Sequence, residues 1–224
     1  MSEYLSVLEH EIHIAALFFM CSAYVVRILW LFKFKFGLER SIPAKYHSRA
    51  VAASLLTVAK PWTIEKNRKT PMFYIQFAIF HLGAAAAIGM TFILPYWPEI
   101  LKIHFVERVL QIILAAAFII GLARLYRRIF DPVLRLISTP DDYFALVMMI
   151  AFYAVGLSVV SNRYGASDGI LVTFFLMTAF FHLYVPFSKI IHYLYYPFTR
   201  YYLGETMVHR GIGNNAQRDK SIAE

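Results

Sequence analysis

Residues 72–97 read MFYIQFAIFHLGAAAAIGMTFILPYW, and no Asp, Glu, Lys or Arg interrupts them. As a helix rising about 1.5 Å per residue, such a run crosses the roughly 30 Å hydrocarbon core of a bilayer. Four further segments are long and apolar enough to do the same, approximately Ile12–Phe36, Val109–Phe130, Tyr143–Val160 and Ile170–Phe198. The chain has 224 residues, of which 59% are hydrophobic, and these apolar blocks are too long for an ordinary soluble core. Charges fall almost entirely between the segments or at their ends, apart from Arg27, Arg124 and Lys189. The expected fold is an all-α integral membrane protein with five transmembrane helices. Acidic Glu3, Glu9 and Glu11 precede the first span where a signal peptide carries a basic region, so that span is read as a permanent helix.

A net charge of +8 invites a nucleic-acid reading, but its distribution argues against one. The connection from Lys33 to Lys69 holds nine Lys or Arg against two acids. Arg127, Arg128 and Arg135 cluster at and after the end of the third span, and Arg200, Arg210, Arg218 and Lys220 follow the fifth. The N-terminus and the loops near Glu99 and Asp168 are nearly neutral or acidic. This alternation is the positive-inside pattern, with the N-terminus outside and the C-terminus in the cytoplasm. Residues 1–203 then form one membrane domain with a cytoplasmic loop at about 37–70, and 204–224 a polar tail. Within the loop, Ala50–Ala59 suits either a short interfacial helix or a solvated segment. The single cysteine, Cys21, excludes an internal disulfide and any iron–sulfur cluster held by this chain alone, and its mid-span position predicts a small core residue.

Function is sought in the histidines. An imidazole in hydrocarbon is costly unless something engages its nitrogens, and a histidine from each of two helices can hold a b-type haem between them. His81 lies ten residues into the second span, beside small residues Gly83, Ala84–Ala87 and Gly89 that leave room for a flat cofactor or a close helix neighbour. His192 lies near the inner end of the fifth, one turn past Lys189. Opposite helix directions bring both to comparable depth. His182, ten residues before His192, would stand about 15 Å away along one continuous helix and about 80° around it. His10 and His13 mark the outer end of the first span, and His104 sits beside Lys102 in an outer loop. For these, interfacial or hydrogen-bonding roles are the simpler expectation. His47 and His209 are expected to be solvated. Arg127 and Arg128 are expected at the inner headgroups as interface anchors, where they can also meet haem propionates.

The punctuation of the spans is equally readable. Pro95, Trp97 and Pro98 close the second, Asp131-Pro132 stops the third, and Ser138, Thr139 and Asp141 offer N-cap oxygens to the fourth.

Taken in order, Phe80-His81-Leu82-Gly83, Pro95-Tyr96-Trp97, Arg127-Arg128-Ile129-Phe130-Asp131-Pro132, Pro186-Phe187-Ser188-Lys189-Ile190-Ile191-His192 and Tyr196-Pro197 resemble the cytochrome b (gamma) subunit of respiratory nitrate reductase. The resemblance extends to the membrane cytochromes of the Dsr, Hmc and Tmc complexes and of membrane-bound heterodisulfide reductase, and covers about residues 70–203. It implies that His81 and His192 are the axial ligands of a haem b nearer the cytoplasm. Its second, outer haem uses histidines at positions that are Thr91 and Phe174 here, so a second haem would recruit other residues, His182 and His13 first. Lys102, with His104, stands where the family has a basic residue near its quinol site, and menaquinone is the implied quinone.

The expected function is therefore electron transfer in a respiratory redox complex of a prokaryotic inner membrane, between the quinone pool or an outer-side partner and a cytoplasmic iron–sulfur subunit. Such a chain is an electron-transfer subunit of an oxidoreductase and needs other subunits of one complex. The alternative is a haem-free anchor tethering soluble redox subunits. A small-solute transporter ranks third, weakened by the lack of paired intramembrane acids, although Asp141 and Asp142 lie near the inner start of the fourth span.

Overall fold

The computed structural model describes residues 3–33, 48–60, 62, 65–161 and 168–209, with the side chains of 48–50, 66, 67, 208 and 209 left aside. These residues are helical almost throughout and include no strand. Five helices are long and apolar enough to cross a membrane: α1 (Glu3–Lys33), a short α2 (Ser48–Leu55) aside, then α3 (Pro71–Tyr96), α4 (His104–Phe130), α5 (Pro140–Ser161) and a fifth span, Asp168–Phe187. The α-helical part of that fifth span is α6 (Asp168–Tyr184), and α7 (His192–His209) follows it. The chain forms two compact units. One comprises Met1–Val25 with Met72–Ile190, the other Val26–Pro71 with Ile191–Glu224.

The first unit is built around α4 and α5. In lipid there is little hydrophobic drive between helices, so close approach through small residues and buried hydrogen bonds must supply the cohesion. Gly83 of α3 meets α4 so closely that a Cβ there would overlap the Cβ of Ala117. Gly121 of α4 similarly accepts Ile150 of α5, whose Cγ1 would lie 2.7 Å from an added Cβ. Between these contacts sits Tyr153, fully buried, its ring edge-on to Phe80 at 5.3 Å. Farther along, Phe152 stacks on Phe174 at 5.3 Å and joins α5 to α6. Large apolar side chains such as Phe18, Phe105 and Ile112 point outward, as lipid contact requires.

In the second unit, α2 packs with α7, and the Tyr196 hydroxyl donates to the Leu55 carbonyl at 3.0 Å. Ala50–Ala59 is thus helical through Val58 rather than irregular. Arg27 donates to the Tyr195 hydroxyl at 3.0 Å, which gives this charge within the first span a polar partner.

Three expectations change. The first span begins at Glu3 rather than near Ile12, so His13 lies ten residues inside a helix rather than at its end. The fifth span does not run unbroken to Phe198. Pro186 has no N–H to continue the ladder, and the chain passes through two 3-10 turns, Val185–Phe187 and Lys189–Ile191, with Ser188 extended between them. The spacing of His182 and His192 on one helix therefore does not apply. Cys21 is exposed rather than a core residue, because it lies on the outward face of α1. The cap expectations hold in part. Asp131 accepts from the N–H groups of Val133 and Leu134 at 2.9 and 3.2 Å. At the start of α5 the carboxylate that accepts is Asp142, from the Thr139 N–H at 2.8 Å, rather than an oxygen of Ser138, Thr139 or Asp141, which meet Arg128, Asp142 and Tyr184 respectively. Helix α7 continues through Gly204 to His209, whereas residues 34–47, with His47, and the tail from 210 lie outside the described residues.

Candidate functional site

His81 projects from α3 with a defined ring orientation. Its Nδ1 lies 2.8 Å from the Phe77 carbonyl, one turn back. A carbonyl only accepts, so Nδ1 carries the proton and the lone pair belongs to Nε2. This is the arrangement in which metal-ligating histidines are commonly held. The ring also packs on Phe77, centroids 4.0 Å apart. The next turn is anchored from two sides. The Tyr153 hydroxyl donates to the Phe80 carbonyl at 2.9 Å, and the Arg124 guanidinium lies over the Phe80 ring at 4.8 Å.

Tyr153 was not among the residues singled out from sequence. The available signal was a tyrosine deep in an apolar span, since a buried phenol needs a hydrogen-bond partner. Tyr153→Phe is expected to cost about 0.6 kcal/mol, the usual worth of an interhelical hydrogen bond in a membrane. Tyr153→Ala is expected to cost about 3–5 kcal/mol by cavity formation. Unfolding midpoints in detergent check both; equal losses would show that the ring packing is unimportant.

His192 opens α7 and is exposed, with the Tyr193 ring 6.4 Å away. It belongs to the second unit and His81 to the first.

The structure brings together two other candidates, His13 and His182. Their rings are nearly parallel, 17° between planes, with centroids 5.3 Å apart. Both residues are buried, at 1% and 7% exposure. Both nitrogens of His13 and Nδ1 of His182 are sealed from solvent without a hydrogen bond. The Glu9 carbonyl, one turn back, lies near the His13 ring but does not meet hydrogen-bonding geometry. Phe92 and Phe175 flank His13 at 5.6 and 6.4 Å.

The remaining candidates lie apart from these histidines or serve local structure. Arg127 lies over the Phe73 ring at 4.6 Å. Arg128 donates to the Ser138 hydroxyl at 2.7 Å and stands 3.7 Å from the Asp142 carboxylate. Lys102 pairs with Glu99, and exposed His104 lies 3.6 Å from Glu107. Thr91 is buried and its hydroxyl donates to the Ile88 carbonyl at 2.7 Å, while Phe174 fills the core. The acids near the start of α5 are engaged as well. Asp142 receives Lys189 at 2.9 Å, and Asp141 accepts from the Tyr184 hydroxyl at 2.6 Å. Paired in this way, they staple α5 to the end of the fifth span and offer no isolated intramembrane charge for transport.

No protein-family model, curated protein or solved structure matches the chain.

Proposed function

We propose that the chain is a haem b-bearing membrane subunit of a respiratory redox complex. It would carry electrons between the quinone pool or an outer-side partner and a cytoplasmic iron–sulfur subunit. The observation that carries this reading is the state of His81: a half-buried imidazole in an apolar span, its Nδ1 proton committed to the Phe77 carbonyl and its lone pair on Nε2. Such a donor is chemically suited to haem iron. By the resemblance, His192 supplies the opposite axial ligand. Bound haem would supply reversible one-electron transfer, and two axial histidines would leave no site for oxygen.

The chain's own residues do the rest. Phe77 fixes the tautomer of His81, while Tyr153 and Arg124 immobilise the turn that bears it. The rings of Phe77 and Phe80 lie beside His81, with centroids 4.0 and 6.2 Å away. Arg127 and Arg128 are proposed for propionates, and Lys102 with His104 for a quinone headgroup. The orientation with the N-terminus outside, and a prokaryotic inner membrane, belong to the same proposal. The exposure of His192 favours a second reading, a haem-free anchor for soluble redox subunits.

A dithionite-reduced minus oxidised spectrum of the detergent-purified protein, with pyridine-haemochrome quantification, separates the two. A b-type α band with at least about one haem per chain is expected. A colourless, folded protein that is also haem-free in its intact complex would overturn the proposal.

A further inference from the structure

We infer that Arg124 and Arg127, one turn apart on α4, bind the phosphate of a net-anionic membrane lipid at the seam of α3 and α4. The site stands apart from the histidines and does not depend on haem. Each guanidinium reaches across to α3, Arg124 over the Phe80 ring at 4.8 Å and Arg127 over the Phe73 ring at 4.6 Å. Among the described residues, neither forms a hydrogen bond or an ion pair. The neighbouring cations are matched: Arg128 by Ser138 and Asp142, Lys189 by Thr139 and Asp142.

Depth sets Arg124 apart from an ordinary anchor. The 27 residues of α4 span about 40 Å, so the helix overhangs a roughly 30 Å hydrocarbon core by about 5 Å at each end. Arg127, three residues before Phe130, then lies at the border, where arginine is common. Arg124 is six residues before Phe130, about 9 Å from the helix end, and so inside the hydrocarbon. Its Cβ tilts toward the N-terminus of α4, deeper into the span, whereas a snorkelling side chain would turn the other way. Its guanidinium accordingly meets Phe80, nine residues into α3, while that of Arg127 meets Phe73 near the start. An aromatic face attracts a cation without neutralising it, so a charge at this depth calls for an anion.

Among the described residues, the acids of the first unit near this end are already engaged. Asp131 caps the short helix after α4, Asp141 accepts from Tyr184, and Asp142 is taken by Lys189 and Thr139. The counter-charge therefore comes from outside the chain. A small inorganic anion would have to shed its water to reach Arg124. An amphiphile instead lays its acyl chains against Ile119, Leu122 and Tyr126, which are exposed on α4, and brings its phosphate to the arginines. Guanidinium forks match phosphate oxygens, and basic pockets between spanning helices take lipid headgroups in this way. A net-anionic lipid is selected over a zwitterionic one, whose own ammonium cancels the charge that two unmatched arginines attract.

The test uses the full chain, delipidated in detergent and offered equal amounts of phosphatidylglycerol and phosphatidylcholine. Native mass spectrometry reads the lipid retained, and pyridine haemochrome the haem per chain. Wild type should retain phosphatidylglycerol in preference. Arg124→Gln and Arg127→Gln should each weaken that retention about tenfold, the loss of one charge-assisted contact, with haem content and helical content unchanged. Arg124→Lys should keep most of it, since a point charge still meets a phosphate. Arg108→Gln, toward the other end of α4 where Arg108 donates to Gln111, should lose none. Thermal unfolding gives an independent reading: phosphatidylglycerol should raise the midpoint of wild type but not of the two glutamine variants. Equal retention of the two lipids, or undiminished phosphatidylglycerol in both glutamine variants, would overturn the inference. So would displacement of the lipid by inorganic phosphate, which would mark a site for the free anion. Loss of haem in place of lipid from Arg124→Gln would also remove it, by assigning that guanidinium to a propionate. A haem-free wild type that still selects phosphatidylglycerol would remove the main reading and leave this one standing.

Discussion

His81→Ala is expected to remove about one haem per chain, and His192→Ala to remove the same one, while both proteins remain helical and monodisperse. On the proposed ligation the effect should be all-or-none, because an iron that loses one of two axial ligands also loses the low-spin state that gives a b-type spectrum. Quantitative pyridine haemochrome on the two single variants and the double variant checks this. If the ligands share one iron, the double variant loses no more than either single variant, the non-additivity expected of groups acting as a unit. Additive loss, or a full complement of haem in either single variant, would sink the pairing. Tyr153→Phe serves as a control, because it loosens the anchored turn without removing a ligand.

The second large effect is steric. Gly83→Ala is expected to destabilise the first unit by about 1–3 kcal/mol, the usual cost of forcing atoms into a packed interior. The added Cβ would collide with the Ala117 Cβ, and the Tyr153 ring lies 3.6 Å from the same point, so α3 and α4 would have to separate. Gly89→Ala, six residues farther along the same helix, provides the contrast. Nothing lies within 4 Å of its added Cβ, and alanine should gain up to about 1 kcal/mol in helix propensity. Thermal unfolding in one detergent should therefore move in opposite directions for the two variants. Parallel shifts would mean that α3 and α4 do not meet at Gly83. Because Gly83 is two residues from His81, its variant should also weaken haem retention, whereas Gly89→Ala should not.

Much of the architecture was legible because membrane insertion depends on local composition. Residues 72–97 contain no formal charge, and they form a spanning helix within one residue of the expected bounds. Asp131-Pro132 ends α4 where expected, since the missing proline N–H and the aspartate cap act within a single turn. The Pro186 break was equally present in the sequence, but hydropathy is indifferent to it, and the apolar run was read through to Phe198. Helix propensity and a buried face likewise carry α1 back to Glu3, past the polar residues that hydropathy treats as its border.

The site divides along the same line. By itself, the sequence determined the number and apolar character of the spans, their punctuation, and a short list of histidines whose burial would need a reason. It did so because transfer, capping and proline effects act over a few neighbouring residues. Only the tertiary structure decided which side chains meet. His13 and His182 come from opposite ends of the chain and stack at 5.3 Å; Lys189 finds Asp142; Tyr153 reaches the carbonyl beside His81. Those pairings depend on helix rotation and on a glycine's clearance against one facing alanine. Such quantities arise from the packing of whole helices, and no local pattern of residues encodes them.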